Sequence, residues 1–121
     1  MRQIRSFGSV RAISLDRTEV LRRLREITDE ALAAFPEVLE IRLIGSLAIG
    51  EQTGTSDVDL FILLKRLPEH PIEGLRPYFF FFSKRLDLAL DILVAGPKPS
   101  AELERLLQHS LLLASREESP H

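Results

Sequence analysis

The chain predicts an α/β fold, and three observations carry that expectation. Apolar residues recur at three- and four-residue steps from Arg17 to Ala34, the spacing of one helix face. They then alternate at two-residue steps in residues 39–44 and again in Val58–Leu64, the spacing of strands. A further strand-like run at 89–95 and a helical run opening at Ser100 place helices between strands.

Residues 10–15 alternate loosely and predict a short edge strand, after which Asp16 and Glu19 stand at capping-box spacing. The helix they introduce carries the stripe Val20, Leu21, Leu24, Ile27, Ala31, Leu32 and Phe35. Pro36 disfavours helix at Phe35, so the helix should end near Ala34. Its other face pairs Glu19 with Arg23, Arg22 with Glu26 and Arg25 with Asp29, each four apart, and reads as solvated.

Residues 39–44 form a strand that becomes more apolar toward its carboxyl end and runs straight into Gly45-Ser46. In the next strand Val58, Leu60, Ile62 and Leu64 share one face, while Asp57, Asp59, Phe61 and Leu63 share the other. Both faces are apolar past Asp59, which predicts a central position. Residues 65–74 read as a loop, and Pro77 suits the first turn of a helix reaching about Leu86. Gly96-Pro97-Lys98-Pro99 reads as a turn, Ser100 as an N-cap, and Leu103, Leu106, Leu107, Leu111 and Ala114 as the stripe of a last helix. The expectation is one domain over 1–121, with 115–121 a frayed tail.

Composition narrows the function classes. The 121 residues are 45% hydrophobic, enough for one modest core. A net charge of -2 lacks the basic footprint of a protein that grips extended nucleic acid. With 0 cysteines there is neither a disulfide framework nor a thiolate site, which fits a reducing compartment, and a cytoplasmic protein is expected. No apolar stretch has the length of a membrane span, so no membrane role is expected.

The chemistry concentrates in residues 45–60. Gly45 has no side chain to block close approach, so backbone N–H groups of the turn can face phosphate oxygens, with the Ser46 hydroxyl as a further donor. Asp57 and Asp59 lie two apart on a strand, so both carboxylates leave one face and can share divalent cations with a triphosphate. Two like charges so close need a counter-charge, which points to magnesium.

The block Gly45-Ser46, Gly50, Asp57 and Asp59 is similar to the G-S-x-x-x-G-x6-D-x-D signature of the polymerase-beta-like nucleotidyltransferase superfamily, and the small size resembles its minimal nucleotidyltransferase (MNT) branch. The resemblance implies most of the topology: a nucleotidyltransferase fold of the α+β kind, in which a small mixed sheet of about three core strands and an edge strand carries helices mainly on one face, with an open cleft opposite. It implies Mg-dependent transfer of a nucleotide, AMP from ATP, by two metal ions, and a third carboxylate on a later strand. Asp91 matches that position, and apolar neighbours predict it buried, where a carboxylate needs a partner or metal. Asp87 competes but falls where a helix should end. The chain departs from the family at Ile49, where members commonly carry arginine. Members of the branch resemble antitoxins paired with HEPN-domain ribonucleases, which implies a toxin–antitoxin role and an acceptor hydroxyl on a partner protein. The alternatives are an aminoglycoside-like small-molecule adenylyltransferase and a non-catalytic antitoxin that acts by binding.

Tyr78-Phe79-Phe80-Phe81-Phe82 covers every face of a helix and cannot all reach one small core. Either this run forms a homo-oligomer or partner interface, or it is buried under the loop, the last helix or an extra strand. His70, His109 and His121 have no ligand spacing, so zinc is not expected.

Overall fold

The computed structural model describes residues 17–50, 58–86, 88–98 and 100–116, without the side chains of Ser46 and Pro71. The proposed edge strand at 10–15 and the Asp16 half of the capping box lie outside these residues.

Helix α1 spans Arg17–Ala34 and buries Leu21, Leu24, Ile27 and Ala31, as its apolar stripe dictates. Thr28 shares that buried face because its hydroxyl donates to the Arg25 carbonyl at 3.1 Å. On the exposed side Arg22 pairs with Glu26 at 2.9 Å as its spacing predicts. Glu19, however, takes Arg22 at 2.5 Å rather than Arg23, which turns to the Arg85 carbonyl at 3.0 Å.

Strand β1 is Val38–Ile44, followed by the short helix α2, Ser46–Ile49, and strand β2, Val58–Leu64. Helix α3, Pro71–Gly74, forms inside the expected loop, and α4, Arg76–Ser83, has a proline in its first turn. The chain beyond Ser83 loosens into a turn, although the Leu86 N–H still reaches the Phe82 carbonyl at 2.9 Å. Strand β3 is Leu90–Ala95, α5 is Ala101–Leu107 with the Ser100 hydroxyl capping it at 3.1 Å, and strand β4 is Leu111–Ser115.

The sheet runs β3-β2-β1-β4, with β2 parallel to β3 and the other two pairs antiparallel. Central β2 is therefore confirmed, and the sheet is mixed. Helix α5 carries the chain from one edge strand to the other. The expected long last helix is corrected here. Leu111 and Ala114 belong to β4, because the free edge of β1 offers a ladder and the Ser110 hydroxyl closes the helix end on the Leu107 carbonyl at 2.6 Å.

One sheet face meets α1 and α4 in a single apolar core containing Leu24, Ile41, Leu43, Leu60, Ile62 and Phe82. The aromatic run divides along this boundary. Tyr78 and Phe82 enter the core, while Phe81 stacks edgewise on Phe35 beneath the Arg85 guanidinium, 3.7 Å from its ring. Phe79 is half-buried, and Phe80 stays 57% exposed. Burial accordingly accounts for most of the run. The Tyr78 hydroxyl donates to Glu37 at 2.5 Å, and burial followed by that carboxylate pushes its pKa above the usual range.

The expectation of a frayed tail fails at its first two residues. Ser115 ends β4, and Arg116 donates to the carbonyls of Leu32 at 2.7 Å, Phe35 at 3.2 Å and Val38 at 3.0 Å. It thereby caps the α1 terminus and ties it to β1. Residues 117–121 lie outside the description. Among the described residues no helix is long and apolar enough to cross a membrane.

Candidate functional site

The strand period that buries Leu60 and Ile62 turns Asp59 to the opposite face. Register then sets its neighbours, since Asp59 pairs with Ile44 at the end of β1 and with Asp91 on β3. Adjacent parallel strands put the two aspartates side by side on one face. They open onto a cleft of about 300 Å³ that, among the described residues, Ile44, Leu60, Ile92 and Leu93 also line.

Gly45 directly follows Ile44 and has φ +83, a conformation that favours glycine. A Cβ built on it would collide with the Asp59 carboxylate, whose Cγ would lie only 3.3 Å away. The missing side chain is thus required twice over, for the backbone angle and for the approach to Asp59. Beyond it the Ala48 N–H donates to the Gly45 carbonyl at 3.1 Å and Leu47 plugs into the core, which fixes α2 behind the turn.

Asp91 differs from its expectation in burial. It is exposed, because β3 is an edge strand and Asp91 lies on the face away from the core. The cost of burying a carboxylate therefore gives no argument for a metal there, and the argument that stands is its register with Asp59. The side chain of Ser46 and all of Asp57 and Asp87 lie outside the described residues. Ile49 is 50% exposed. Lys65, Arg66, His70 and His109 are exposed.

Among the described residues no group of three or more His, Cys, Asp or Glu side chains gathers. Two adjacent carboxylates are nonetheless a fitting donor set for magnesium, a hard cation that keeps several waters and shares substrate phosphates instead of needing an all-protein cage. Two arginines brace the frame from a distance, Arg17 behind the Gly45 turn and Arg116 at the opposite end of β1, where Val38 opens the strand. Both act over long range on backbone carbonyls, and nothing in local sequence marks such a role.

Comparison with known proteins supports the same fold. A candidate nucleotidyltransferase from Sulfolobus solfataricus superposes with TM-score 0.59 at 24% identity, covering 83% of this chain and 84% of that one. A toxin–antitoxin solved with AMP-PNP gives 0.56 at 19% identity, covering 85% and 76%. A tyrosine-to-alanine variant of the MntA–HpeT toxin–antitoxin gives 0.55 at 19%, covering 86% and 76%. No curated protein sequence matches. The sequence profile of the nucleotidyltransferase domain matches residues 21–117, so the chain belongs to the nucleotidyltransferase domain family.

Proposed function

We propose that this protein transfers AMP from ATP to a hydroxyl on a partner protein, as the antitoxin of a toxin–antitoxin pair. The observation that carries the site assignment is the register pairing of Asp59 with Asp91, beside a glycine whose Cβ would strike Asp59. Asp57, Asp59 and Asp91 hold magnesium in this reading, and the Gly45-Ser46 turn holds the triphosphate. Bound there, magnesium supplies the counter-charge for the phosphates and lowers the pKa of the attacking hydroxyl.

The chain's own contribution is alignment and proton handling. The acceptor oxygen bonds to the α phosphorus while the bond from that phosphorus to the bridging oxygen breaks and pyrophosphate leaves. The hydroxyl proton passes to the Asp91 carboxylate, which is exposed and can return it to solvent. Gly45 keeps the path to Asp59 clear of side-chain atoms.

The solved neighbours described as toxin–antitoxins support the pairing. The HEPN class of the partner and a cytoplasmic setting belong to the same proposal.

Incubation with ATP labelled in the α phosphate, magnesium and the product of the adjacent gene should label that protein. Label on an aminoglycoside instead would move the acceptor to a small molecule. Intact binding without label would leave an antitoxin acting by contact alone.

A further inference from the structure

Helix α2 is a weak element placed at a demanding position. Its four residues, Ser46–Ile49, are too few to hold a helix by their own hydrogen bonds. Glycines with φ +83 and +81, Gly45 and Gly50, bracket it, so the backbone can swivel at either end. It starts directly after Gly45, the residue that lies against Asp59.

Two anchors resist that swivel. One is the Leu47 side chain, fully buried in the core. The other comes from 30 residues away, where the Arg17 guanidinium at the start of α1 donates through Nε to the Leu47 carbonyl at 2.8 Å and through Nη2 to the Ala48 carbonyl at 3.1 Å. A planar guanidinium bonded through two nitrogens to successive carbonyls fixes direction as well as distance. It also satisfies carbonyls that so short a helix leaves without internal partners.

We infer that Arg17 is a positioning residue for the phosphate-holding turn, an inference that rests on the nucleotidyl-transfer reading above. The Arg17 guanidinium is committed to the Leu47 and Ala48 carbonyls. It clamps α2 to α1, and α2 in turn sets the Gly45-Ser46 backbone that faces the triphosphate. Its loss therefore weakens recognition of the phosphate chain more than it weakens recognition of the nucleoside.

The test is calorimetric titration of the full chain, Arg17→Ala and Arg17→Lys with Mg-ATP and with AMP, each alongside a thermal melt. Arg17→Ala should lower the ratio of Mg-ATP to AMP affinity by about tenfold, the scale on which supporting contacts act on a site. Arg17→Lys, which keeps the charge but not the fork, should recover part of that ratio. An unchanged ratio in Arg17→Ala overturns the inference, whether both affinities stay at the wild-type level or fall together with the melting temperature. That result leaves the proposed function standing. Failure of the wild-type chain to bind Mg-ATP would instead remove both.

Discussion

Leu60 and Asp59 are neighbours in one strand and live in different environments. Leu60 is fully buried in the layer between sheet and helices, whereas Asp59 looks the other way, toward Asp91 and the cleft. The same division runs through β3, where Ile92 packs on the core and Asp91 is exposed. A strand's two-residue period thus separates the residues that hold the fold from those placed for chemistry. Central β2 joins the two tasks, because a strand pinned on its apolar face holds its carboxylate in a fixed place.

The sharpest way to break that comparison is to change one neighbour at a time. Asp59→Asn should lower transfer about a thousandfold or more, roughly 4 kcal/mol of transition-state stabilisation, while the protein melts at the wild-type temperature. Leu60→Ala should do the reverse, costing about 2–5 kcal/mol in urea unfolding and leaving the activity of the folded fraction nearly intact. Wild-type turnover by Asp59→Asn would sink the site assignment. Equal loss of activity in both variants would show that the faces are not separable.

Gly45→Ala ought to blur the division, since this residue closes the strand and abuts the carboxylate. A side chain at φ +83 costs about 1–2 kcal/mol of strain. The added Cβ would also push the Asp59 carboxylate aside, and a displacement of that order at a reacting centre costs roughly a hundredfold in rate. Stability and transfer should therefore fall together, as measured by urea unfolding and by label transfer. Full activity with lowered stability would mean that Asp59 tolerates the shift.

The parts that were legible in sequence are those whose signal is local. Arg17–Ala34 and the strand through Val58–Leu64 each carry a long, uninterrupted period; the structure returns the helix with those bounds and the strand from Val58 onward, Asp57 lying outside the described residues. Residues 111–115 went the other way. Leu107, Leu111 and Ala114 fit a helical stripe, and only the unfilled edge of β1, some 70 residues distant, makes them a strand. The exposure of Asp91 has the same origin. Apolar neighbours suggest burial, but an edge strand leaves one face uncovered, and edge position is a property of the whole sheet. The Arg17 and Arg116 clamps are illegible for a related reason, since a guanidinium seeking backbone carbonyls carries no motif.

The aromatic run tests whether the helical layer has an outward role beyond covering the core. Tyr78 and Phe82 are committed inward, and Phe81 is held between Phe35 and Arg85, so changing any of them confounds binding with folding. Phe80 is the clean probe because it is exposed on the same helix. Phe80→Asp should leave unfolding within about 0.5 kcal/mol of wild type, as expected of a surface position. If α4 docks a partner or a second copy, an aromatic at that contact carries a large share of the affinity, and sedimentation should show association weakened by at least about tenfold. Association that survives Phe80→Asp unchanged would retire α4 as an interface, leaving its aromatics to the core they already serve.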